Sequence, residues 1–398
     1  MIRIVYSGDP SSFAWILPVV GVADVGLSSD ALFQNLDQET TVTVNSPQIT
    51  CPPPPDCGFD GDYAGGFEGG GGAGGSSPSD PVTVVAQNTV GPYETVQLKS
   101  TDPSALATWL AQHGYNIPAD IQPVIDAYVS EGFDFLALKL VPGQGVSAMR
   151  PVRITTMGAS PVLPLRMVAA GTGTITPITL WIMAEGRYDT VNLPSFQIDQ
   201  SKLVWDWTTQ KSNYAQVKQD AFAATQNKGW LIQAGEPFSK YQLTDALTYL
   251  AMYEPESSGY ADDMGNNADL AVLDDLDALF GSIPDGSLWV TRLNGELSRA
   301  ALGADLQLGA ASDQSQVQRW FDLVSTTGEP PPCPTFDPCP PGSGDGGSTG
   351  AGWSFSGDGG GSGSSSACAM TGGDGVPMLS GVALMAALAF ARRRRARR

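Results

Sequence analysis

Histidine is almost missing from this chain: His113 is the one imidazole in 398 residues. A Ser-His-Asp or Cys-His hydrolase would have to use it, and a metal centre built on several imidazoles has too few ligands to draw on. His113 stands at the end of a helix reading, just before Gly114, where a cation complements the helix dipole, so capping is its expected role. Cysteine is sparse too, with none between Gly58 and Pro332. No glycine-rich stretch ends in the Lys-Ser/Thr of a phosphate loop or sits between strand and helix as a dinucleotide fingerprint does; Gly69-Gly70-Gly71-Gly72 is linker. Positive charge is short, at 21 Lys and Arg against 41 Asp and Glu, a net −20. Such a body does not bind nucleic acid by neutralising phosphates. Its acidity favours solubility outside a cell and attracts divalent cations weakly.

The basic residues that exist are concentrated at one end. Cys368 is followed by a Gly-rich spacer, an apolar run over 376–391, and then Arg392, Arg393, Arg394, Arg395, Ala396, Arg397 and Arg398. As a helix, sixteen residues span roughly 24 Å, slightly short of a hydrocarbon core. Arginines directly behind the run stay cytoplasmic by the positive-inside bias, which puts everything before residue 376 outside. Residues 1–10 carry neither a basic start with a long apolar core nor a cleavage site; they read as a strand entering a turn. An export signal is therefore expected upstream of Met1, in a longer natural precursor.

Gly and Pro concentrate in two tracts, 46–81 and 327–375, which read as a disordered insertion and a disordered stalk. They divide the chain into a first body segment (1–45), the insertion, a main body (82–326), the stalk and the terminal segment (376–398). Cys51 and Cys57, and Cys333 and Cys339, form two C-x5-C clusters at the edges of these tracts. Neither cluster has zinc-site spacing, so disulfides are expected, either one within each cluster or two bridging them. Cys368 is then the odd thiol.

Within the body, 2–6 and 13–19 read as strands. Ser28 or Ser29 can cap a helix bearing Leu32, Phe33 and Leu36 on one face, and 40–45 is β-branched. The segments 82–87 and 94–98 flank a Gly91-Pro92 turn and read as a hairpin. Asp102 can cap and Pro103 can open a helix that Gly114 stops, and a second helix is expected over about 120–130. Strands follow at 133–141, 152–156, 162–169, 178–184, 190–193 and 203–207. From Asn213 the pattern turns mostly helical, including 269–280, before a last strand at 288–293. The expected class is α+β with a largely antiparallel sheet and interspersed helix pairs, plus a C-terminal transmembrane helix.

Several segments taken together resemble a known family: Phe13-Ala14-Trp15-Ile16-Leu17-Pro18-Val19, Ser28-Ser29-Asp30-Ala31-Leu32-Phe33, Val90-Gly91-Pro92-Tyr93, Ala107-Thr108-Trp109-Leu110 running into His113-Gly114-Tyr115, and Tyr128-Val129-Ser130-Glu131-Gly132-Phe133. They resemble the uncharacterised bacterial domain-of-unknown-function family numbered twenty-three thirty, over about 1–325. The resemblance implies no activity, though it does imply a signal peptide and a further segment upstream of Ile2. The tail resembles the myxobacterial C-terminal sorting signal (MYXO-CTERM), in which a Cys precedes a short apolar helix and an arginine cluster. That implies cleavage near Cys368 by a dedicated membrane protease and delivery to the cell surface. The alternative is an ordinary single-pass anchor.

Acidic clusters are the remaining chemistry: Asp60 and Asp62; Asp262 and Asp263 near Asn266 and Asn267; Asp274, Asp275 and Asp277. Their oxygens suit calcium, but none follows the EF-hand spacing, and a solvated acidic face is the plainer reading. Trp205, Trp207, Trp230 and Trp289 are candidates for stacking on sugars, but in strands such residues are more often core. No catalytic constellation stands out. The expectation is an exported surface protein with a structural or ligand-binding role and an unidentified ligand. Its alternatives are a secreted carboxylate hydrolase, which needs a perturbed carboxyl in a cleft, and a partner-docking domain with an exposed apolar patch.

Overall fold

The computed structural model describes residues 1–4, 13–52, 87–115, 119, 121–157, 162–169, 172–253, 268–281, 288–335 and 382–387. The chain starts with β1 (Ile2–Ile4), β2 (Ala14–Val19), β3 (Ala23–Leu27), α1 (Asp30–Thr40) and β4 (Thr43–Asn45). A second passage holds the hairpin β5 (Gln87–Val90) and β6 (Tyr93–Leu98), the helices α2 (Pro103–Gln112) and α3 (Gln122–Ser130), and β7 (Asp134–Leu140). Next come β8 (Val152–Thr156), β9 (Val162–Leu163), α4 (Leu165–Val168), β10 (Ile175–Ala184), β11 (Tyr188–Thr190), β12 (Ser195–Phe196), β13 (Trp205–Asp206) and β14 (Lys211–Ser212). The last passage comprises α5 (Tyr214–Ala224), β15 (Trp230–Pro237), α6 (Lys240–Tyr253), α7 (Ala268–Phe280), β16 (Trp289–Ser298), β17 (Leu306–Ala310), β18 (Trp320–Asp322), β19 (Thr326–Thr327) and β20 (Val382–Ala387).

Two sheets dominate. One has eight strands in the order β12-β15-β16-β10-β20-β1-β8-β3, the other four in the order β2-β7-β6-β5. Most pairings are antiparallel, as the α+β reading requires; β10 with β20, β12 with β15, β13 with β19 and β4 with β18 are parallel.

Side-chain alternation decides the layering, because successive strand residues face opposite sides. On β10, Trp181 and Met183 join Leu32, Phe33 and Leu36 of α1, Leu243 and Leu247 of α6, and Val272 and Leu279 of α7. Ile178, Leu180 and Ile182 face the other way, with Leu293 and the partly buried Trp15 and Leu17 of β2. On β7, Phe135 and Ala137 meet α2 and α3, while Leu136, Leu138 and Leu140 meet Val152 of β8 and Val25 of β3. The two sheets thus face each other, and each carries helices on its outer side. Each fully buried Leu or Phe in these layers contributes about 1.5–3 kcal/mol.

The helix starts follow the expected chemistry. Ser29 accepts a hydrogen bond from Leu32 N (2.9 Å) at the start of α1. Asp102 accepts from Ser104 N (2.9 Å) with Pro103 in the first turn of α2, and Gly114 beyond that helix takes φ +80°, which an L side chain rarely adopts.

One expectation needs correction. The strand over 162–169 is only two residues long; Pro164 precedes a short helix that buries Leu165 and Met167. The stretch after Asn213 is mostly helical, in α5, α6 and α7, but it also holds β15, which lies between β12 and β16. Gly235 and Pro237 obscure that strand in the sequence. Of the segment 376–398, expected to hold a transmembrane helix, only 382–387 are described, and they form β20, a strand between β1 and β10. An uninterrupted apolar run suits a strand paired on both edges as well as it suits a lipid helix, and periodicity alone does not separate the two. Among the described residues, no helix is long and apolar enough to cross a membrane.

Candidate ligand pocket

Cys51 and Cys333 form a disulfide, which joins the chain just after β4 to the chain just after β19. The bridge runs across the two cysteine clusters. Cys57, Cys339, Cys368, Arg392, Arg393, Arg394 and Arg395 lie outside the described residues, as do Asp60, Asp62, Asp262 and Asp263. His113 closes α2: its Nδ1 is 2.7 Å from Trp109 O and its ring stacks on Trp109 at 3.8 Å.

Asp275 does not belong to a solvated acidic face. It is fully buried and accepts from Ser28 Oγ (2.7 Å), Ser29 N (2.9 Å) and Arg153 Nη1 (3.0 Å), while Arg153 Nη2 also reaches Asp274 (2.9 Å). Burial pushes the Asp275 carboxyl above its ordinary value, against the pull of Ser28, Ser29 and Arg153. Its oxygens therefore fasten α7 to the start of α1 and to β8. Among the described residues, no group of three or more His, Cys, Asp or Glu is placed to hold a metal ion.

A second polar knot ends differently. Arg292, on β16, is buried and donates through Nε to Gln233 Oε1 (2.9 Å), through Nη2 to Asp37 Oδ1 (2.6 Å), and through Nη1 to Thr40 and Thr41 Oγ1 (3.2 Å each). Its guanidinium lies over the Trp181 ring at 5.3 Å, and desolvation lowers its affinity for the proton. A guanidinium only donates, so the Gln233 atom facing it is the carbonyl oxygen and the amide N–H groups point elsewhere. Gln233 occupies a β-bulge: β15 and β16 pair Ile232 with Leu293 and Ala234 with Arg292, leaving Gln233 as the extra residue. Bulges re-aim a side chain in this way and are common beside binding sites.

Gln233 lines a cavity of about 200 Å³ at this edge of the large sheet, together with Gln197, Gln200, Gln316 and Gln318. Apolar walls come from Ile198, Leu231, Val317 and Phe321, and Trp320 stands at the cavity with 45% of its surface exposed. Arg319 covers Trp320 at 4.1 Å and is held by Glu236 through Nε (3.1 Å). Gln200 donates to Asp322 O (2.9 Å), which steadies its amide. Tyr214 completes the lining. Its hydroxyl is buried and makes no well-formed hydrogen bond among the described residues; burial raises its pKa, and a marginal hydrogen-bonding contact from the Gln233 side chain and the charge of Arg292 offset part of that rise. Other buried polar atoms also lack partners, including Trp230 Nε1 and Asn294 Oδ1, but of these groups only Tyr214 lines the cavity. The lining consists of amides, a phenol and apolar groups. Such a surface recognises an uncharged molecule by hydrogen bonds and ring contact and offers no carboxylate for acid–base work.

The four tryptophans singled out in the sequence lie elsewhere. Trp205 and Trp230 are core, and Trp207 and Trp289 are half-buried. The pattern that does mark the site is Gln316-Val317-Gln318-Arg319-Trp320, where alternate residues share one side of an extended chain. Nothing in the sequence marks the bulge at Gln233.

The fold and the cavity define a class: a two-sheet α+β body with helices outside each sheet and an uncharged polar pocket at the edge of the larger one. The model of the family described as "Uncharacterized protein conserved in bacteria (DUF2330)" matches residues 1–305, and the chain belongs to that family. No curated protein and no solved structure matches it.

Proposed function

We propose that this protein is exported, sorted to the cell surface, and binds a small neutral polar ligand, of which a single sugar ring is the type, in the Gln233 pocket. The observation that carries the binding role is the bulged Gln233, fixed by buried Arg292 and facing a cavity in which the buried Tyr214 hydroxyl has at most a marginal contact from Gln233. The cavity is smaller than the roughly 300–1,000 Å³ of sites that enclose a drug-sized ligand, which suits one ring or one side chain. Trp320 supplies an aromatic surface, and the amides supply donors and acceptors without charge. Export is supported by the Cys51–Cys333 bridge, since structural disulfides persist in oxidising compartments. Sorting follows the tail's resemblance, with Cys368 as the processing position and the arginines as the cytoplasmic stop. A carboxylate hydrolase has less support, because Asp275, the buried carboxyl with the raised pKa, is tied into the fold away from this cavity.

Calorimetric titration of the purified full chain with glucose, galactose, mannose and N-acetylglucosamine tests the binding reading. At least one should bind in the millimolar range or tighter, and Gln233→Leu should abolish it. Equal heats from the parent and Gln233→Leu with every sugar would remove the sugar class. For sorting, Cys368→Ser should hold the product in the membrane fraction of the native host. An unchanged distribution would remove the processing role.

A further inference from the structure

β20 is an unusual member of its sheet. It occupies the middle, yet residues 336–381 separate it in sequence from the rest of the body. It pairs parallel with β10, with Ile178 opposite Val382 through Met183 opposite Ala387, and antiparallel with β1, with Ile2 opposite Leu384. Remove it, and the large sheet divides into β12-β15-β16-β10 on one side and β1-β8-β3 on the other, since among the described residues no other strand joins β10 to β1. Both neighbours need a partner. β1 meets β8 through the single pair Ile2 and Val152, so its other edge carries most of its pairing. The β10 residues Ile178, Leu180, Trp181, Ile182 and Met183 are buried, and unpaired backbone groups at that depth cost about as much as lost hydrogen bonds. A long apolar edge left open is also a template for joining another chain.

We infer that the lane between β10 and β1 is a strand-accepting slot, that the segment Val382–Ala387 of the same chain fills it, and that this segment leaves the slot when it enters a membrane. A six-residue stretch cannot be sheet strand and lipid-embedded helix at once, because its backbone hydrogen bonds go either to its neighbours or to itself. The fold then holds the sorting segment away from lipid until a membrane competes for it. The competition rests on the sorting reading above, but the slot itself does not.

Hydrogen–deuterium exchange of the full chain separates these parts. In buffer, the amides of residues 178–183 that face the lane should exchange as slowly as those bonded to β16. Exchange there at the rate of an edge strand, a hundredfold or more faster, would overturn the slot. Leu384→Pro removes a donor from the centre of β20; it should speed exchange at 178–183 at least tenfold and leave Val96 and Ala137 in the smaller sheet unchanged. If the proline variant exchanges everywhere, the parent measurement still decides. If it leaves 178–183 protected, some other segment occupies the lane and the assignment of Val382–Ala387 is wrong. Adding phosphatidylglycerol vesicles to the parent should raise exchange at 178–183, and unchanged protection would overturn the competition. A native product found soluble in the cytosol with its tail intact would sink the sorting reading and leave the lane's protection in buffer unaltered.

Discussion

Two polar knots of the body, around Asp275 and around Arg292, use similar parts to opposite ends. Around Asp275, a buried carboxylate meets a guanidinium, a hydroxyl and a backbone N–H, and each of its bonds stays within the fold. Around Arg292, a buried guanidinium meets Asp37, Thr40, Thr41 and an amide, but the amide continues into a cavity where the buried Tyr214 hydroxyl has no well-formed hydrogen bond among the described residues. The Arg166 knot sides with the first: its guanidinium binds Asp305 and Glu131, Asp305 accepts from Tyr128 Oη (2.5 Å), and Arg166 lies over the Tyr128 ring at 4.0 Å. A polar cluster that closes on itself locks elements together, whereas one that ends on an unmatched group at a cavity is arranged for something else to complete it.

Breaking the closed knot should give the largest effect. Arg153→Met strands the fully buried Asp275 carboxylate and should lower stability by about 3–5 kcal/mol, measured by urea unfolding. A loss below about 1 kcal/mol would mean that the guanidinium is not what holds that charge. Next comes Tyr128→Phe, which takes a donor from Asp305 and should cost about 1–2 kcal/mol. Gln233→Leu, on the open knot, should cost about as much, because it leaves Arg292 Nε unmatched, and it should remove sugar binding as well.

The smallest effect is in pH. Burial raises the Asp275 carboxyl above its unfolded value, so the folded state holds that proton more tightly than the unfolded one. The contribution is full below the ordinary carboxylate range, at about pH 4, and is lost as pH rises through the raised value. Relative to Asp275→Asn, the parent should therefore lose stability as pH climbs from that point, which urea unfolding at a series of pH values reads directly. A parent that gains on the variant over the same interval would reverse the sign argued from burial.

Much of the frame was legible in the residues. Ser29, Asp102 and Pro103 mark helix starts by chemistry local to a few residues, and the mostly apolar run along 133–141 reads as a strand, which is β7. What the sequence hid depends on distant partners. Asp275 reads as one of three clustered acids until α7 packs against α1 and β8 and brings Ser28 and Arg153 to it. The bulge at Gln233 is a register slip between two strands and leaves no trace in either one. The residues of β20, Val382–Ala387, are all apolar, so hydrophobicity alone does not choose between a helix in lipid and a strand paired on both edges. Trp320 carries no signal of its own in the sequence, because a single exposed tryptophan gains meaning only when Gln316 and Gln318 line the same cavity.

The most direct test of the contrast is the urea stability of Tyr214→Phe beside that of Tyr128→Phe. Deleting the Tyr214 hydroxyl removes a buried polar atom with at most a marginal contact from Gln233 to lose, so stability should hold or rise by about 1 kcal/mol while sugar binding weakens. A loss at Tyr214 equal to that at Tyr128 would show that the hydroxyl is already satisfied within the fold, and the pocket would then be one more closed knot.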